Sequence, residues 1–155
     1  MGYTHYWYQQ RDITEIEWDL IRTDASNILD GAGNTIAWEY DEPTRAPELS
    51  PELIRFNGIA DQGCETFYLE RQKAEKKDYV TAQSYAEDGA FNFCKTRNQP
   101  YDTYVTAILS AINQMAPTAL CIASDGEKAD WLGGVALANE KLKTSSIVIP
   151  EGVFE

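Results

Sequence analysis

The chain has 155 residues, 43% of them hydrophobic and 12% aromatic, which is material for a packed core without a metal or disulfide. Asp and Glu number 25 against 13 Lys and Arg, so the formal net charge of −12 disfavours direct nucleic-acid binding and docking on an anionic membrane face. Cys64, Cys94 and Cys121 form no disulfide framework, and with His5 as the single histidine no metal site or cofactor is expected.

Residues 3–10 read as a strand rich in aromatics, with Tyr3, His5 and Trp7 on one face and Thr4, Tyr6 and Tyr8 on the other. Residues 12–30 read as a helix, opened by a capping box of Asp12 with Glu15 or of Thr14 with Glu17. Ile13, Ile16, Leu20, Thr23, Ala25 and Ile28 trace one side, and Trp18 and Ile21 widen it. Residues 31–52 have little periodicity, three prolines and many acids. A short strand is expected at 35–38 and a surface loop at 39–52.

Residues 53–57 and 65–69 read as an antiparallel hairpin beyond the Asn57-Gly58 turn pair. Arg71, Lys73, Lys76 and Lys77 form a basic cluster within a charged insertion at 70–89, followed by a strand at 90–96. Residues 100–115 carry Tyr101, Tyr104, Val105, Ile108, Ile112 and Met115 at helical spacing. Pro100 suits the first turn, Asn98 is a candidate cap, and Asp102 favours the dipole. An apolar strand at 119–123 follows. The turn Ser124-Asp125-Gly126, with Asp125 as a candidate cap, leads to a helix at 128–142 that buries Trp131, Leu132, Val135, Ala138 and Leu142. Gly133-Gly134 marks either close backbone packing or a break. The tail at 145–154 offers a late edge strand. Together these elements predict an α+β fold: one mixed sheet of about five strands packed by two or three helices, in a single compact domain over 1–155.

Candidate chemistry is sparse. His5 reads as a base or ligand contact, or as a hydrogen-bonded residue of an aromatic core. A dyad of His5 with Cys94 or Cys64 would need a thiolate of low pKa. Lys95, Thr96, Tyr101 and Asp102 sit where a strand feeds a helix, a position that favours anions, although capping explains them equally. If their strands are neighbours, Asp125 and Lys95 line one rim. Asn57 and Glu65 flank the hairpin turn. His5, Lys95 and Asp125 are the catalytic candidates. The candidate ligand-binding set is Tyr3, His5, Trp7, Asn57, Glu65, Lys95, Thr96, Tyr101, Asp102 and Asp125. No phosphate loop, dinucleotide fingerprint, zinc-protease helix or calcium loop occurs.

The opening MGYTHYW, FNG with nearby CETF, FCKT followed by PYD, and SDG before a tryptophan-bearing helix resemble a family of small uncharacterised proteins of tailed bacteriophages, prophages and bacteria. The resemblance covers about half the chain in four blocks. It adds Tyr6, Gly58 and Gly126 to the residues of interest. The chain departs from the family in its long, charged stretch at 70–88 and in its acidity.

The resemblance implies a phage-type protein in the host cytoplasm. It would act on a basic host protein, inhibiting host defence by charge mimicry or by direct blocking. The acids within 12–30 and 39–52 would supply the charged face. Two other readings stay open. One is a pocket protein, an enzyme or a sequestering binder, for an anionic or nucleotide-like molecule at His5, Lys95 and Asp125. The other is a structural or accessory protein without a ligand. A homo-oligomer is compatible with each. No export signal and no apolar run long enough to span a membrane is visible.

Overall fold

β1 (Thr4–Gln9) alternates as a half-buried strand should, with His5 and Trp7 fully buried on its inner face and Tyr6 and Tyr8 half-buried on the outer one. The computed structural model describes residues 3–74 and 89–154. Residues 75–88 of the expected charged insertion, with Lys76 and Lys77, lie outside the described residues.

β1 is the centre of a three-stranded antiparallel sheet, between β6 (Ala90–Lys95) and β7 (Leu120–Ser124). It pairs with β6 in the register His5↔Cys94 and with β7 in the register His5↔Ser124. A second antiparallel sheet is built on β4 (Leu53–Gly58). It pairs with β2 (Ile36–Ala37), β3 (Glu48–Leu49) and β5 (Phe67–Glu70), and a 3-10 turn at Ala60–Gln62 lies in the β4–β5 connection. The Trp7 and Phe67 rings meet at 5.2 Å and join the inner faces of the two sheets.

The fold is α+β, with seven strands among the described residues in two antiparallel sheets, where the sequence predicts about five in one mixed sheet. The reason is where β1 goes. β6 and β7, joined through a helix, run parallel, but β1 lies between them and makes every pairing antiparallel. The hairpin β4–β5 then recruits its own partners from within residues 31–52, so Glu48–Leu49 is strand rather than loop.

α1 (Glu15–Leu29) opens on the Thr14–Glu17 capping box: the Thr14 hydroxyl accepts from the Glu17 N–H and the Glu17 carboxylate accepts from the Thr14 N–H. Its core stripe is Trp18, Ile21, Ala25 and Ile28. Ile16 is 78% and Leu20 47% exposed, because the stripe that meets the core starts at Trp18 rather than at Ile16. Hydrogen bonds from Arg11, at 2.8 Å, and from the Thr14 N–H hold the Glu17 carboxyl down to about 2. The folded value is depressed, so this contribution to stability is complete above the ordinary value of 4.5 and is lost as pH falls toward 2. Glu17→Gln should therefore flatten the stability–pH curve between those limits, read from urea midpoints. An unchanged curve would show that the pair contributes nothing to folding.

α2 (Asp102–Met115) is buried almost all round from Val105 to Ile112. Its cap position is held by Tyr101 with no side-chain bond, so Asn98 is not the cap. α3 (Lys128–Leu142) is capped by Glu127 with Asp130, not by Asp125. Trp131 and Ala138 are buried on it, while Leu132 is 58% exposed. These three helices, among the described residues, touch one another. The tail forms no strand. Instead the Asn139 side chain accepts from the Ile147 N–H at 2.9 Å and donates to its carbonyl at 3.1 Å, taking the bonds that a neighbouring strand would supply.

Candidate functional site

The inner face of β1 delivers His5 into a polar chain that crosses the core. Its Nε2 lies 2.6 Å from Asp102 Oδ1 on α2, and its Nδ1 lies 2.9 Å from Ser124 Oγ at the end of β7. Thr96, at the end of β6, donates its hydroxyl to the same Asp102 oxygen at 2.6 Å. Ser124 Oγ accepts from the Gly126 N–H at 2.9 Å and from Trp131 Nε1 at 3.2 Å. His5, Thr96 and Trp131 are fully buried and Asp102 is 4% exposed. The Tyr3 and Trp131 rings meet the imidazole edge-on at 5.2 and 5.1 Å.

Donor and acceptor counting assigns the protons. Two donors occupy both Ser124 lone pairs, so the Ser124 hydroxyl donates to Nδ1, and the ring carries its proton on Nε2 facing Asp102. The result is a hydroxyl–imidazole–carboxylate relay in the order of nucleophilic catalysis. A nucleophile, however, needs a free lone pair, and Ser124 has both engaged. The relay is saturated and locks β1, β6, β7, α2 and α3 together.

A second network surrounds Glu39. Its carboxylate accepts from Thr66 at 2.6 Å, Asn57 at 2.7 Å and Arg55 at 2.9 Å, and from the Tyr40 N–H. Burial works to raise the Glu39 carboxyl, and these donors outweigh it, so its pKa falls below the ordinary value. Asn57, fully buried, also bonds the Cys64 N–H and carbonyl and the Gly58 N–H, which shapes the loop after β4. Glu65 fastens that loop to β6. Its carboxylate accepts from the Lys95 N–H and its carbonyl accepts from the Tyr101 hydroxyl at 2.7 Å.

The candidate residues therefore part company. His5, Trp7, Thr96, Tyr101 and Asp102 lie inside and Tyr3 is half-buried against the His5 ring, with Asn57 and Glu65 in the neighbouring loop network. Lys95 and Asp125 flank Thr4 on the outer face of the sheet, on the side opposite His5, and Asp125 accepts from the Tyr6 hydroxyl at 3.1 Å. They share a rim with each other across β1 but not with the imidazole.

The cysteine dyad is not formed. Both His5 nitrogens are taken, and burial pushes the Cys94 thiol far up while it donates to the Glu65 carbonyl. Burial likewise raises the Tyr3 and Tyr101 phenols, with negative neighbours adding to it. The clefts on the surface are lined by other residues, chiefly those of α3 with the tail, of α2 with β7, and of α1 with Leu49.

Sequence reasoning does not single out Ser124, Glu39, Thr66 or Trp131 as members of these networks. For Ser124 the signal is its place in the strand-to-helix turn, where a hydroxyl can reach the N–H two residues on. Glu39 carries no local signal, because its side-chain partners come from β4 and from the residue before β5.

The outer face of the β6-β1-β7 sheet is aromatic. Phe91 stacks on Tyr6 at 6.1 Å and meets Tyr8 at 5.1 Å and Phe93 at 5.6 Å with tilted rings. Phe91 is 44% and Phe93 45% exposed. Among the described residues no group of His, Cys, Asp and Glu is placed to hold a metal, and no helix is long and apolar enough to cross a membrane. No protein-family model matches the chain, and neither a curated protein nor a solved structure matches it.

Proposed function

We propose that the chain is a non-enzymatic, phage-type binding protein that docks on a basic host protein in the cytoplasm and blocks it directly. The observation that carries this reading is the solvent-facing aromatic strip of Tyr6, Tyr8, Phe91 and Phe93. Large rings cost free energy in water and bind well when another surface covers them, and they accept arginine guanidinium groups on their faces. Asp125 at the end of the strip and the net charge of −12 favour a basic partner.

Direct blocking is favoured over charge mimicry. Glu17, Asp19, Glu39 and Glu42 each sit beside an arginine, so the acids within 12–30 and 39–52 are in part neutralised locally. The saturated His5 relay favours an accessory protein without a ligand. The Tyr3 hydroxyl, buried beside Gly126 without a partner among the described residues, favours a small-molecule site. The exposed aromatic face is the feature that neither of those readings explains.

The test is capture from host lysate by the wild-type chain and by a Phe91→Ser, Phe93→Ser variant. The variant should keep its thermal midpoint and lose the partner by about tenfold or more, equivalent to about 1.4 kcal/mol. Capture should also weaken as salt rises from about 0.15 M to about 1 M, where the screening length shrinks from about 8 to about 3 Å. Equal capture by both chains, or co-purification of a small molecule alone, would overturn the reading.

A further inference from the structure

The two outer strands of the β6-β1-β7 sheet end differently. On β1, the Asp125 N–H donates to the Thr4 carbonyl and the Gln10 N–H to the Ala119 carbonyl. Antiparallel ladders alternate, so Ala123 and Cys121 also turn their backbone groups toward β1. Leu120 and Ile122 then turn theirs outward, and those groups have no partner among the described residues.

β6 is protected at the equivalent places. The Asn92 side chain accepts from the Phe93 N–H, and Glu65 takes both the N–H and the carbonyl of Lys95. Among the described residues β7 has no such cover, and its sequence, LCIAS, has neither the charge nor the proline that usually blunts an edge. Beside β7 runs a groove of about 550 Å³, walled by α2 and the tail. Ser110 of α2, 1% exposed, lines it with a hydroxyl that has no hydrogen-bond partner among the described residues. Glu151, exposed, is the charged residue of its lining.

We propose that the free edge of β7 is a strand-addition site, where an extended basic segment of a partner protein pairs with the backbone of Leu120 and Ile122 and sets a Lys or Arg against Glu151. The chemistry fits on three counts. The unpaired N–H and carbonyl groups supply main-chain bonds, the groove has room for alternate side chains, and Glu151 with the net charge of −12 selects a cation. The added strand also continues the aromatic face past Cys121. The inference rests on the reading of the chain as a protein-binding module, but not on the aromatic strip.

Because the main chain supplies the bonds, a generic probe suffices. The probe is a capped Lys-Val-Lys-Val-Lys peptide, titrated into the full chain and compared with its backbone N-methylated twin of equal charge. Amide exchange at Leu120 and Ile122, followed by NMR, should slow about tenfold or more with the probe and stay unchanged with the twin. Glu151→Lys should weaken probe binding about tenfold at an unchanged thermal midpoint. The Phe91→Ser, Phe93→Ser variant should bind the probe normally, which separates this site from the aromatic face. Equal binding of the twin, no protection at Leu120 and Ile122, or protection in the free chain accompanied by a dimer mass would each overturn the proposal. If partner capture persists while the probe fails, the edge site alone falls.

Discussion

His5→Ala should lower the free energy of unfolding by about 3 kcal/mol or more, the cost of stranding one member of a buried hydrogen-bonded pair. The substitution leaves the Asp102 carboxylate, 4% exposed, with Thr96 as its remaining side-chain donor, and leaves the Ser124 hydroxyl without an acceptor. It also opens a void between the Tyr3 and Trp131 rings. Against a total stability of about 5–15 kcal/mol for a domain, such a loss is read easily from guanidinium midpoints. The network is further tested by a double-mutant cycle. After His5→Ala, the change Asp102→Ala should cost less than it does alone, with a coupling of about 1–3 kcal/mol. Additive losses, or a His5→Ala cost below about 1 kcal/mol, would mean that the relay is not a unit.

The adjacent glycines of α3 should respond with opposite signs. A Cβ on Gly134 would strike the Thr106 hydroxyl and come within 2.8 Å of the Ala107 backbone nitrogen on α2. Backbone cannot swing aside as a side chain can, so Gly134→Ala should force α2 and α3 apart and cost about 1–3 kcal/mol or more. A Cβ on Gly133 meets nothing nearer than Thr103 Cγ2 at 4.0 Å, and Gly133 is exposed. Gly133→Ala should raise stability by about 1 kcal/mol, the ordinary helix preference for alanine. Thermal midpoints of the two variants decide the point, and equal shifts in one direction would contradict the close helix contact.

This pair of glycines shows where local reading stops. The sequence offers close packing or a break at Gly133-Gly134. The choice depends on whether another helix lies against that face, which no pattern within α3 records. α1 behaves in the same way. A capping box is legible because its partners lie three residues apart, but Asp12 with Glu15 has the same spacing as Thr14 with Glu17, and the fold chooses the second. Ile16 and Leu20 read as core because they are apolar at helical spacing, yet they face solvent because the surface that α1 meets begins at Trp18. The candidate site divides along the same line. Tyr3, His5 and Trp7 share a face by strand alternation alone. That Lys95 and Asp125 fall on the other face follows from their register against Thr4, and a slip of one residue in either pairing would have reversed it.

Local pattern is enough for the longer elements from β1 to α3, for their order and for the shared face of Tyr3, His5 and Trp7, because those depend on neighbours within a few residues, whereas the short strand Glu48–Leu49 and the strandless tail escape it. Only the tertiary structure decided that β1 enters between β6 and β7, that the tail pairs with the Asn139 side chain instead of a strand, and that Ser124 rather than a cysteine meets His5. Those outcomes join positions far apart in the chain. Register and packing against distant partners set them, and a single sequence carries no local trace of either.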